Sequence, residues 1–223
     1  MEFLKYKNFE YVFKAPEKAE GKLPVIIFLH GAGTRDTDCA CLARNSFFGQ
    51  NSLFANGENA ALLFAPLCRH NSWFDVFEQL QDFVKFALSH PNADVERLYL
   101  VGNSMGGYGV WQLATTMSEY VAAVIPVCGG GMTWNYKPLL HIPIWAVHGL
   151  EDRTVPPENS IRYVEKINKH EGNAKITLLE GVGHNSWNYT YACREIYDWL
   201  FAQKRQNKTN DGINEYADSK KFG

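Results

Sequence analysis

Apolar residues gather in short unbroken blocks along most of this chain. Residues 24–29, 60–66, 98–101, 122–127 and 142–147 are each almost wholly apolar. Blocks of this length fit strands buried on both faces of a mostly parallel sheet. Between them the period changes. Phe77, Leu80, Phe83, Val84, Ala87 and Leu88 recur at helical spacing within 73–89. Further helices are predicted at 107–117, 158–170 and 189–202, a short one around 40–47, and a last strand at 175–179. Residues 9–13 alternate loosely and predict an edge strand, and 14–22 form a polar turn. Alternating strands and helices without an internal repeat predict an α/β fold, a mostly parallel sheet covered by helices on both faces. The expected organisation is one domain over residues 1–203 followed by a polar tail over 204–223.

The block at 98–101 runs into Gly102-Asn103-Ser104-Met105-Gly106-Gly107. A serine held on a sharp strand-to-helix turn crowds the positions two before and two after it, which must then lack a Cβ. Gly102 and Gly106 meet that need. Such a turn presents the Ser104 hydroxyl at the carboxyl end of its strand, and the following helix aims its N-terminal N–H groups at the same place. A P-loop would need Lys-Ser/Thr after Gly107, where Tyr108-Gly109 stands, and a dinucleotide fingerprint would need a third glycine at Gln112. A plain tight turn remains the alternative at this point.

Ligands of an open parallel sheet gather at the carboxyl ends of its strands. Partners of Ser104 are therefore expected directly after other strands. Asp152 follows the 142–147 block and His184 follows 175–179. A serine hydroxyl needs an imidazole to take its proton and a carboxylate to orient that imidazole. The order serine, acid, histidine suits this topology. Glu151 competes with Asp152, whose shorter arm fits a tight loop better. Without a partner, Asp152 would be a turn carboxylate and His184 a surface histidine. His30-Gly31-Ala32-Gly33, after the 24–29 strand, lets backbone N–H groups approach a ligand, or else His30 only braces its loop.

Composition narrows the partners. The chain has 223 residues, 46% of them hydrophobic and 14% aromatic, with a net charge of -2. That balance predicts neither nucleic acid nor an anionic membrane as partner. The amino terminus has no apolar signal-like region, and a cytoplasmic location is expected. Five cysteines, an odd number without a repeated framework, predict reduced thiols. No Cys or His near Cys39-Ala40-Cys41 completes a ligand set, so no metal is expected.

Taken together, His30-Gly31-Ala32-Gly33, the 102–109 segment, His148-Gly149 with Asp152 and Val155-Pro156, and Gly183-His184 with Trp187 resemble the α/β-hydrolases. More narrowly they resemble the compact branch of peptidases and esterases related to prolyl oligopeptidase-like hydrolases and to feruloyl and acetylxylan esterases. The resemblance covers about residues 9–200. It implies an α/β-hydrolase fold without a large lid domain, with Ser104 as nucleophile, Asp152 as orienting acid and His184 as general base. It also implies an oxyanion hole from the backbone N–H groups of Met105 and Ala32, and no cofactor. Asn103 departs from the Leu or Phe common in that branch. The chain also starts close to its first predicted strand, so the signal and accessory modules of a secreted plant-wall esterase are not expected of it.

The expected activity is hydrolysis of short-chain or aryl esters, small or carbohydrate-borne, because an alkoxide leaves more easily than an amine. A small-peptide serine hydrolase is the alternative, and a non-catalytic binding protein on the same scaffold is the alternative of another class. Only a short connection fits between 129 and 141, which predicts a shallow, open site. Trp73, Trp134 and Trp187 are candidates for an aromatic wall, with plain packing as the other reading of each.

Overall fold

The structure is a computed structural model and describes residues 1–17 and 21–206. Its strands are β1 (Glu2–Tyr6), β2 (Phe9–Lys14), β3 (Leu23–Leu29), β4 (Leu62–Pro66), β5 (Ala93–Asn103), β6 (Val121–Val127), β7 (Ile144–Gly149) and β8 (Ala174–Leu179). They form one sheet in the order β1-β2-β4-β3-β5-β6-β7-β8. β1, β2 and β4 pair antiparallel, and every pairing from β4 to β8 is parallel. The carboxyl ends of β3, β5, β7 and β8 therefore lie along one edge.

The helices are α1 (Cys39–Leu42), α2 (Leu53–Asn56), α3 (Phe77–Leu88), α4 (Met105–Thr116), α5 (Glu158–Asn168), α6 (Trp187–Ala192) and α7 (Arg194–Phe201). Strand alternation divides the core between the two faces of the sheet. Val25, Ile27, Leu29, Leu98 and Leu100 pack with α3, α4 and α5, whereas Ile26, Phe28, Tyr99 and Val101 pack with α1, α2, α6 and α7. Both faces are covered, so the buried stretches of the inner strands are almost wholly apolar. That is why they stand out as unbroken blocks.

Two elements near the chain ends differ from the sequence expectation. The edge strand is β1, not the 9–13 segment, which becomes its inner neighbour. β1 leaves Phe3 and Leu4 exposed and so carries no alternation that marks a buried face. It is held by a hairpin whose turn places Lys7 at φ 49°. The single helix expected at 189–202 is two, α6 and α7, divided where Cys193 takes an extended conformation. The chain is docked across the boundary between the expected domain and tail. Tyr99 Oη donates to the Gln203 carbonyl at 2.7 Å, the Arg205 N–H donates to the Glu96 carbonyl at 2.8 Å, and the Arg205 guanidinium pairs with the Glu96 carboxylate. The rest of that tail, 207–223, lies outside the described residues. All five cysteines are free, and no helix among the described residues is long and apolar enough to cross a membrane.

Candidate active site

β5 ends at Asn103 and α4 begins at Met105, which leaves Ser104 alone at the turn. Its backbone has φ 55° and ψ −119°, a conformation that costs a non-glycine residue about 1–3 kcal/mol. The turn is kept by close backbone packing. A Cβ on Gly106 would lie 1.9 Å from the Leu29 carbonyl oxygen, and one on Gly102 would lie 2.6 Å from the Gly106 carbonyl oxygen. The Ser104 N–H donates to the Val127 carbonyl at 2.9 Å, which ties the turn to β6.

The Ser104 hydroxyl donates to His184 Nε2 at 2.8 Å, and His184 Nδ1–H donates to Asp152 Oδ2 at 2.7 Å. Three loops, after β5, β8 and β7, thus bring one side chain each into a continuous chain of hydrogen bonds. Asp152 is buried, and its Oδ1 accepts from the Thr154 and Val155 N–H groups at 2.9 Å each. Burial pushes its carboxyl pKa up, but the His184 hydrogen bond and those two backbone donors outweigh it and hold the group below the usual carboxylate range. Asp152 is therefore a fixed anion at neutral pH.

Two more buried groups support this acid. His148 Nε2–H donates to the Val155 carbonyl at 2.9 Å, with Asp152 Oδ2 3.2 Å away, and His148 Nδ1 meets Ser160 Oγ on α5 at 2.8 Å. Burial pushes the His148 pKa down, which keeps the ring neutral. Cys128 Sγ, the Asp152 carboxylate and a His184 ring nitrogen lie within 4.8 Å of one another. Burial raises the Cys128 thiol to about 12, so it stays protonated beside Asp152 and His184. The His148-Gly149 motif was visible in the sequence. Its contact with Ser160 was not, because that contact depends on how α5 packs.

The loop after β3 faces Ser104. His30 is fully buried, its Nδ1–H donates to the Gly31 carbonyl at 2.8 Å, and its Nε2 accepts from the Cys68 N–H at 3.0 Å. Burial lowers its pKa to about 4, so the ring is neutral and serves as a brace for the loop. Ala32 opens a 3-10 turn, Ala32–Thr34, and Met105 opens α4. The amide at the first position of such a turn has no acceptor within its own helix.

A pocket of about 370 Å³ beside Ser104 is bounded by Ala32, Asn45, Asn103, Thr154, His184 and Trp187, among others. Of the three tryptophans, Trp187 borders it and packs edge-on to His184 with ring centres 5.4 Å apart. Trp73 does not: it is fully buried in the core, and its indole N–H donates to the His30 carbonyl at 3.1 Å. Its place after a strand reflects core packing, and the structure removes it from the candidate wall. Trp134 is 74% exposed and does not border this pocket. The β6–β7 connection carries only a 3-10 turn, Lys137–Leu139, over the short span expected. Asn45, Asn103 and Thr154 went unnoticed as pocket residues in the sequence, although Asn103 stood out as a departure from the pattern of the esterase branch that the chain resembles.

The sheet order, the serine turn and the loops gathered at one edge define an α/β-hydrolase fold. The chain belongs to the dienelactone hydrolase family, whose model matches residues 45–216. Among solved structures, a thermostable esterase is 31% identical with a TM-score of 0.79, the match covering 88% of this chain and 60% of that one. The chain thus spans about three fifths of that esterase's length. The fold is shared with an acylaminoacyl peptidase of Pyrococcus horikoshii (16% identity, TM-score 0.66, 92% of this chain and 41% of that one). It is also shared with the feruloyl esterase module of Clostridium thermocellum (17% identity, TM-score 0.63, 86% and 82%). No curated protein sequence matches the chain.

Proposed function

We propose that this protein is a serine carboxylic-ester hydrolase that works through an acyl-enzyme on short-chain or aryl esters. One observation carries the reading: the unbroken run from Ser104 Oγ through His184 to Asp152, at 2.8 and 2.7 Å. Ser104 Oγ attacks the ester carbonyl carbon while its proton passes to His184 Nε2. Asp152, already anionic, stabilises the imidazolium that forms. The Met105 and Ala32 N–H groups bind the carbonyl oxygen as it becomes an oxyanion, each contributing about 3–4 kcal/mol to the transition state. The C–O bond then breaks, His184 returns its proton to the departing alkoxide, and water attacks the acyl-enzyme by the same route. The resemblance to a thermostable esterase supports ester over amide substrates.

The test is a substrate panel of p-nitrophenyl acetate and butyrate, a feruloyl ester and an aminoacyl amide, run with wild type and Ser104→Ala. Ester turnover that exceeds amide turnover and is lost in Ser104→Ala is expected. Amide turnover above ester turnover would make the protein a peptidase, and ester turnover that survives in Ser104→Ala would remove the serine mechanism.

A further inference from the structure

The pocket beside Ser104 has no Lys, Arg, Asp or Glu among the described residues that border it. Its polar character comes from neutral groups, and Asn103 decides their sense. Asn103 is only 6% exposed, and its Oδ1 accepts from Tyr191 Oη at 3.1 Å. Tyr191 is buried against Phe28, Phe47 and Phe54. Burial holds its phenol well above the usual range, so the proton stays on the oxygen. Among the described residues Asn103 is the one partner that the hydroxyl meets. Turning the carboxamide over would leave that buried proton unpaired, an outcome that folded proteins avoid. Oδ1 therefore faces Tyr191, and Nδ2 faces the other way.

On that side Nδ2 stands against the loop after β3. A Cβ on Gly31 would lie 2.9 Å from Asn103 Nδ2 and 3.5 Å from Ser104 Cβ. No acceptor meets Nδ2 among the described residues, yet it is not one of the fully enclosed unpartnered polar atoms, as Trp111 Nε1 is. Its open side is the pocket. Asn45 has the same sense: its Oδ1 accepts from the Phe47 N–H at 3.0 Å, and its NH₂ group meets no acceptor among the described residues. Two carboxamides whose oxygens are taken by the protein thus offer N–H donors to one pocket.

Resting on the ester-hydrolase reading, we infer that Asn103 Nδ2, assisted by Asn45, is a donor subsite selecting acyl groups that carry an uncharged oxygen acceptor, such as an alkoxy or hydroxy oxygen. The alkoxide must leave toward His184, which returns its proton, so the wall made by Gly31 and Asn103 receives the acyl part. Neutral donors without a cation favour a neutral acceptor over a carboxylate, whose desolvation nothing here offsets.

The test compares p-nitrophenyl methoxyacetate with p-nitrophenyl butyrate, two acyl groups of nearly the same shape in which one oxygen replaces one methylene. The difference in intrinsic reactivity cancels when the ratio of their kcat/KM values is compared between wild type and variants. In Asn103→Leu the methoxyacetate preference should fall about fivefold, the worth of one neutral hydrogen bond. Asn103→Asp, which keeps an acceptor for Tyr191 but no NH₂, should lose it as well above neutral pH. The second variant guards against loss of fold in the first. If wild type hydrolyses both esters and the ratio is unchanged in both variants, the donor subsite is overturned and the ester-hydrolase reading stands. If wild type hydrolyses neither ester, both are overturned.

Discussion

Replacing Asp152 by Asn changes one atom and should disable the enzyme through the neighbouring histidine. The outcome follows from which end of the carboxamide goes where. Asp152 Oδ1 accepts two backbone N–H groups at 2.9 Å each, so an NH₂ group there would face two donors. The carboxamide oxygen must take that place, and its NH₂ group then faces His184 Nδ1 across the 2.7 Å now spanned by a hydrogen bond. His184 can accept that bond only by moving its own proton to Nε2. The proton then points at Ser104 Oγ, 2.8 Å away, and the serine has lost its base. A wrong tautomer of this kind lowers kcat about 10⁴-fold, equivalent to about 5.5 kcal/mol. The assay is kcat for p-nitrophenyl acetate at neutral pH with Ser104→Ala as the floor, alongside a urea denaturation curve to show that the variant is folded. A folded Asp152→Asn enzyme within tenfold of wild type would refute the tautomer argument.

Two further predictions concern the loops that hold the site. His30 has its pKa lowered by burial to about 4, from 6.5, so on acidification the unfolded chain takes up the proton first. Its contribution to stability is complete above pH 6.5 and is lost as the pH falls toward 4, a change of about 3 kcal/mol. Urea unfolding across that window should show a steeper loss in wild type than in His30→Gln, and parallel curves would contradict the assignment. Gly106→Ala places a Cβ 1.9 Å from the Leu29 backbone oxygen, an overlap that no rotamer relieves, and should cost at least about 3 kcal/mol. Gly33→Ala in the facing loop meets nothing within 4 Å and should change stability by less than about 0.5 kcal/mol. Equal effects of the two substitutions in thermal melts would show that the turn does not depend on this contact.

The sheet was legible because burial on both faces makes β3, β6, the second half of β5 and most of β7 into nearly unbroken apolar runs. β1 was not, since an edge strand exposed on both sides leaves no pattern. Ser104, Asp152 and His184 could be proposed from the sequence because each comes directly after a strand, and parallel strands bring those positions to one edge. The tryptophans show where this reasoning ends. Trp73 and Trp187 both lie near strand ends, but only the packing of α3 and α6 decides that one is core and the other borders the pocket. Asn103 marks the same limit from the other side. Its place before Ser104 was evident, whereas the direction of its amide depends on Tyr191, far away in sequence.

The most direct test of the account is covalent. Treating the folded protein with a fluorophosphonate and mapping the adduct by mass spectrometry should find the modification on Ser104 alone. Labelling should be lost in urea and greatly slowed in His184→Ala, because the hydroxyl is nucleophilic only beside its imidazole. A folded protein that is not labelled, or one labelled elsewhere while it hydrolyses esters, would contradict the assignment of Ser104 as nucleophile.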